Sequence, residues 1–188
     1  MEQNRARIVD AATNLFRQHG VAAVGVADIM KAAGMTQGGF YKHFPSKDAL
    51  AAEACTVAFT RSVDVWKEKA KTESDGGTAA LRELVTYYFA PKSPERTCPM
   101  VALSQDAAAS DAPDDPLRIA YSQGAHRLFD AFAEVAATHT GAPMSREKVM
   151  MIFAAMVGAN FLTRAIGEDP WMVEMKSLVL SSIDTKQL

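Results

Sequence analysis

Between Thr36 and Lys47 the chain gathers hydrogen-bonding and charged side chains around two adjacent glycines: Gln37, Gly38, Gly39, Tyr41, Lys42, His43 and Lys47. The chemistry open to such a set is contact with a polyanion and with base edges. A Gln amide offers the donor and acceptor that match adenine in the major groove. Tyr, Lys and His supply hydrogen bonds and charge at phosphate height. Each Gly in a helix costs about 1 kcal/mol relative to Ala, and close approach of the backbone to another surface is a reason to bear that cost. Lys47 falls in the first turn of a predicted helix, whose unpaired N–H groups already attract an anion. A cation fits there when a phosphate is the shared neighbour. Phe40 and Phe44 are placed to pack on the first helix instead.

The elements that must position these residues are all helical. Ile8, Ala12, Leu15 and Phe16 form one helical face that stops at Gly20. A short helix runs from about Val26 to Ala33 and is closed by Gly34. Thr36 can cap a third, through about His43, before Pro45 breaks the chain. Two short helices joined by a Gly bend are the helix-turn-helix pattern, whose second helix enters the major groove. Ser46 caps a long fourth helix, Lys47 to about Lys71, with apolar stripes on opposite sides: Leu50, Ala54, Val57, Ala58 and Val65 against Cys55, Phe59, Val63 and Trp66. A helix apolar on two faces is packed on two sides. Ser74 to Gly77 reads as a loop. Further helices are predicted over Thr78–Phe89, Pro99 to about Ala109, Pro116 through Val135, Ser145 to about Ile166, and Pro170 to about Ile183. Nothing reads as strand, so the fold class is all-α, about nine helices.

The run Asp28-Ile29, Ala32-Ala33-Gly34, Gly38-Gly39-Phe40-Tyr41-Lys42-His43-Phe44 and Ser46-Lys47-Asp48-Ala49-Leu50, preceded by Ile8, Ala11-Ala12, Leu15-Phe16 and Gly20, resembles the N-terminal domain of the TetR family of bacterial transcriptional regulators. The resemblance covers about the first fifty residues, and Cys98-Pro-Met-Val-Ala-Leu103 also looks like a subgroup of these proteins. It implies a three-helix DNA-binding head over 1–47, a ligand-binding and dimerisation domain over 48–188, and a homodimer. By position, Gln37, Gly38, Gly39, Tyr41, His43 and Lys47 match DNA-contacting residues of the family. Val26 departs from the pattern, because many members place there a Ser or Thr that reaches a phosphate.

Composition agrees with this division. Residues 1–47 hold six basic and three acidic side chains, the remainder fourteen and nineteen. A basic head on an acidic body favours a polyanionic partner for the head. Most aromatics and methionines lie in the body, a composition that suits an apolar small-molecule pocket. Trp66, Tyr88, Met100, Tyr121 and Phe129 are the candidate lining, with His126 read as a core histidine. The helix after Ser145 is apolar almost all round, and Ala154, Ala155, Gly158 and Ala159 permit close helix approach. With Leu162 and the last helix's Trp171, Met175 and Leu178, it forms the candidate dimer interface.

Catalysis finds little support. There is no Gly-x-Ser-x-Gly, no phosphate loop, no His-Glu-x-x-His, and His19, His43, His126 and His139 lack metal-ligand spacing. Ser104, Asp106 and His126 make a trio of the kind that arises by chance. No cofactor is expected. Of the two cysteines, Cys98 beside a proline is the better reactive candidate and Cys55 reads as a small buried hydrophobe. The longest run free of polar side chains, Val149–Ala159, is too short to span a bilayer. The N-terminus lacks the apolar segment of a signal peptide. The expectation is a cytoplasmic, ligand-responsive dimer bound to operator DNA, most simply a repressor released by a small apolar or aromatic inducer. The rival is a small all-α enzyme or ligand carrier with a purely structural head.

Overall fold

A computed structural model describes residues 2–71, 78–138 and 144–184. The loop expected over Ser74–Gly77 and His139 lie outside them. Among the described residues the chain forms nine α-helices, two 3₁₀ helices and no strand. The α-helices are α1 (Glu2–His19), α2 (Val26–Ala32), α3 (Lys47–Lys71), α4 (Thr78–Phe89), α5 (Pro99–Ala102), α6 (Ser104–Ala108), α7 (Pro116–Ala137), α8 (Arg146–Ile166) and α9 (Pro170–Asp184). The 3₁₀ helices are Gln37–Lys42 and Pro94–Arg96.

Local chemistry sets most of the boundaries. The Ser46 hydroxyl accepts the Ala49 N–H at 3.0 Å, and Ser145 accepts that of Lys148 at 3.3 Å. The Asp115 carboxylate takes the Arg118 N–H at 2.8 Å, one residue ahead of the proline that opens α7. These are N-caps that satisfy donors the helix itself leaves unpaired.

Two expectations are corrected. Residues 37–42 form a 3₁₀ helix, not an α-helix, and Thr36, the residue before it, makes no side-chain cap bond. Two consecutive glycines weaken the α-helical alternative, and the tighter turn suits so short a piece. The segment 99–109 is two helices, interrupted at Leu103.

The chain divides into two compact units, Met1–Ser62 with Lys92–Arg127, and Val63–Pro91 with Leu128–Leu188. In the first, Ile8, Ala12 and Phe16 of α1 are buried, as are Ile29, Met30, Phe40, Phe44, Leu50, Ala54, Ala58 and Phe59. Arg5 pairs with Glu53 and Arg61 with Asp10, tying α1 to α3. Gly124 on α7 faces Phe59, and a Cβ there would collide with the ring. In the second unit, α4, α8 and α9 pack on one another. Its core holds Trp66, Leu81, Leu84, Tyr88, Phe132, Phe153, Met156 and Met172.

The eleven-residue apolar run understates α8. At 21 residues it is long and apolar enough, by length and composition, to cross a membrane, yet only 28% of its most apolar stretch is buried in the chain. That leaves one of its sides both apolar and uncovered.

Candidate nucleic-acid interface

The bend of the helix-turn-helix rests on Gly34. Its φ is +67°, in the left-handed region where a side chain is strained. The Gly34 N–H donates to the Lys31 carbonyl and the Met35 N–H to that of Met30, at 3.0 and 2.8 Å. The chain therefore leaves α2 by a fixed turn and enters the 3₁₀ helix directly.

That 3₁₀ helix has a buried side and an open side. Phe40 is wholly buried and stacks on Phe44 at 5.9 Å. The Arg5 guanidinium lies 4.6 Å from the Phe44 ring centre. This ties Phe44 to α1, while the 3₁₀ helix that carries Phe40 packs on α2. On the open side, Gln37, Gly38, Tyr41 and Lys42 are exposed, Tyr41 to 74%. Gly39, His43 and Lys47 are half-buried. A Cβ added at Gly38 would meet nothing within 4 Å, and one at Gly39 only the Met30 methyl at 3.6 Å. Neither glycine has the positive φ that would demand it. The subunit's own packing thus gives no reason for glycine at position 38, whereas an external surface pressed against the backbone does.

The interface residues predicted for the last helices divide. Ala155 is exposed, and nothing stands within 4 Å of a Cβ on Gly158. Trp171 is 46% and Leu178 61% exposed. Leu162 and Met175 are half-buried. Met151, at 70%, and Phe161 join the same uncovered side of α8. Ala159 is corrected: at 1% exposure it belongs to the subunit's own core, with Ile152 and Met156 on the inward side of α8. An apolar run cannot tell inward from outward, because both sides of this helix carry apolar residues.

The candidate lining residues fall in both units. Trp66 and Tyr88 are buried, with ring centres 5.8 Å apart, and Trp66 also meets Phe132 and Phe153 edge-on. Phe129 packs on Phe153 at 5.2 Å, and the Arg146 guanidinium lies 5.6 Å from its ring. In the other unit the Tyr121 hydroxyl donates to the Met100 carbonyl at 2.7 Å, and its ring meets Phe59 edge-on. Burial pushes the Tyr121 hydroxyl up to about 12, so it stays a donor. His126 is exposed, against the reading of it as a core histidine.

Two residues carry contacts that the sequence pattern does not announce. Arg17, near the end of α1, is buried, and its Nε donates to the Thr97 carbonyl at 2.8 Å. Burial lowers its pKa. Asp106 accepts the Val21 and Ala22 N–H groups on Oδ1, at 2.9 and 3.3 Å. Ser104 instead donates to the Val101 carbonyl. The chance trio therefore does not assemble. Burial pushes the Cys55 thiol up to about 12, and Cys98 is half-buried. Among the described residues, no three His, Cys, Asp or Glu side chains gather as a metal site.

Comparison with known proteins follows the same geometry. Residues 8–54 match the family described as bacterial regulatory proteins, tetR family. The transcriptional regulator LmrA of Bacillus subtilis is 30% identical over 164 residues, 85% of each chain. The regulator AcrR of Shigella flexneri is 42% identical over 52 residues, 28% of this chain and 24% of AcrR. Several curated relatives are thus matched over about a quarter of their length. A regulator from Saccharomonospora viridis, solved in complex with choline, shares the fold with a TM-score of 0.79 at 18% identity, over 98% of this chain and 97% of that one. These relatives and neighbours are transcriptional regulators, not enzymes. The exposed edge of the helix-turn-helix, the all-helical architecture and the match to LmrA along most of both chains agree, and the chain belongs to the TetR family of DNA-binding transcriptional regulators.

Proposed function

We propose that this regulator is a homodimeric repressor that leaves its operator when a small apolar or aromatic molecule binds the body. The observation that carries the DNA part is Gly38, a glycine on the exposed edge of the turn that the subunit's own fold does not require. Gln37 to Gly39 read base edges, and Tyr41, Lys42, His43 and Lys47 hold phosphates. In this reading residues 1–47 are the DNA-binding part and 48–188 the ligand-binding and dimerisation part. The uncovered apolar sides of α8 and α9 support pairing with a second copy. The regulator in complex with choline, alike in fold, supports a small-molecule site in the body. Of the candidate residues, Trp66, Tyr88 and Phe129, which lie within one compact unit, are its proposed lining.

Two heads fixed by one dimer match half-sites about 34–36 Å apart. A ligand that binds better to a conformation with another head spacing drains the DNA-bound population. The protein acts in the cytoplasm, where its operator is. The test is a mobility shift with DNA from upstream of its own gene, repeated with small aromatic compounds. A specific shift that one compound abolishes is the expected outcome. No specific shift, or one that no compound alters while the transcript rises with the protein, rejects the repressor reading.

A further inference from the structure

We propose that Asp106 and Arg17 are positioning residues that set the DNA-reading turn from outside the head, through the strap of residues 94–108; this rests on the DNA-binding reading above. The head's geometry depends on how the chain leaves α1, because only Gly20 to Gly25 separate α1 from α2. Gly20, at φ +82°, makes that exit. The two N–H groups that follow it, Val21 and Ala22, both point at Asp106 Oδ1. One turn earlier on α1, the Arg17 guanidinium holds the Thr97 carbonyl through two nitrogens.

One short strap therefore grips both the last turn of α1 and the connection to α2. Each grip uses an ionised group, which makes the stronger class of hydrogen bond. The strap is held in turn from α7, whose Tyr121 hydroxyl donates to the Met100 carbonyl. The run from Tyr121 through Met100 to Asp106 and Arg17 is continuous within one compact unit. Apolar packing alone fixes a turn against sliding poorly, whereas a carboxylate facing two successive N–H groups fixes its direction as well. Asp106 is half-buried and lies outside the apolar core, so its removal takes away orientation before it takes away stability.

The test uses the full chain with Asp106→Ala, Asp106→Asn and Asp106→Glu. Affinity for the upstream DNA is measured alongside amide exchange and thermal melting. Residues that carry coupling without touching a ligand typically change it about twofold to thirtyfold. Asp106→Ala should weaken DNA binding within that range and speed exchange from Val21 through Lys42, with α8 unchanged and melting within a few degrees. Asp106→Asn keeps an acceptor oxygen and should recover most of both. Asp106→Glu keeps the charge but displaces the acceptor by a methylene, and serves if the alanine variant fails to fold. It should fall between the other two. Exchange confined to Val21 and Ala22, affinity unchanged in all three variants, or a uniform rise in exchange along the whole chain each overturns the positioning role. If the wild type binds no upstream DNA, the reading of the head fails, and the exchange pattern still decides what Asp106 positions.

Discussion

The edge of the 3₁₀ helix and the outer sides of α8 and α9 are both left uncovered by the chain's own packing, and they are chemically opposite. The first shows Gln37, Gly38, Tyr41 and Lys42, polar or bare of side chain. The second shows Met151, Phe161, Trp171 and Leu178. Exposure of hydrogen-bonding groups costs nothing in water, so the first surface is stable as it stands. Exposure of four large apolar groups forgoes about 1.5–3 kcal/mol for each when burial is available. A polar edge therefore awaits a partner that it recognises by geometry. An apolar face is driven to one by the solvent.

The largest effect should come from charging the apolar face. Ala155→Arg adds a cation to an exposed site, so the isolated subunit keeps its fold. In the proposed dimer two like charges meet near the twofold axis, and each loses water without a carboxylate partner, at a cost of several kcal/mol per ion. Sedimentation should fall from about 40 kDa to about 20 kDa, and specific DNA binding should be lost. Ala159→Arg separates the two sides of the helix. It drives the charge into the subunit's own core and should abolish cooperative melting. A variant at 155 that still sediments as a dimer and binds its operator places the interface elsewhere.

Next is Gly38→Ala, which separates recognition from stability. A methyl there meets nothing in the protein. Replacing Gly by Ala without strain usually stabilises by about 0.4–1 kcal/mol. Melting should hold or rise slightly, while affinity for the cognate site falls by about tenfold, or 1.4 kcal/mol, as the methyl holds the backbone off the DNA. Unchanged affinity removes position 38 from the contact surface. Gln37→Ala, by contrast, should relax preference at one or two base pairs, at about 1–3 kcal/mol for the cognate site. Identical sequence preferences from a random pool would show that Gln37 reads no base.

The head was the more legible region, and the reason is local. Gly20, Gly34, Ser46 and the Phe40–Phe44 pair act on neighbours a few residues away, so their roles show in the spacing. The caps at Ser46 and Ser145 are legible for the same reason. The 3₁₀ form of 37–42 was not, because a capping position followed by helical spacing reads alike for both helix types. The inward position of Ala159 is not legible either, because small apolar residues line both sides of α8. Arg17 and Asp106 were missed because their partners, Thr97 and Val21, lie some eighty residues away in sequence. No pattern in the chain marks a carboxylate that will meet a distant N–H. The candidate lining of the body rests on the family resemblance and on aromatic and methionine content, and that content is equally what a core requires, as the Trp66 cluster illustrates.

Lys47→Ala should have a smaller effect on the polar edge. Lys47 opens α3 and is half-buried. Loss of one phosphate contact should weaken binding to all DNA sequences alike and lower the slope of log affinity against log salt by about 1. The sequence preference should stay that of the wild type. An unchanged slope with full affinity removes Lys47 from the phosphate contacts.

The smallest effect is spectroscopic and tests the apolar face without charging it. The chain has two tryptophans in opposite settings. Trp66 is buried among Tyr88, Phe132 and Phe153. Trp171, the second residue of α9, is about half exposed in the single chain. If α9 is covered by a second copy, Trp171 is shielded in concentrated solution and becomes wet when the dimer separates. Trp66, enclosed by its own subunit, should emit alike in both states and act as an internal reference. The difference between wild type and Trp171→Phe isolates the exposed indole. On dilution, or with Ala155→Arg in the background, that difference spectrum should move to longer wavelength and acrylamide should quench it more readily. The shift is small because the indole is already partly wet and only its remaining face changes environment. A difference spectrum that ignores both dilution and Ala155→Arg would mean that nothing covers α9. The partner would then have to lie against α8 alone, on the Met151 and Phe161 side.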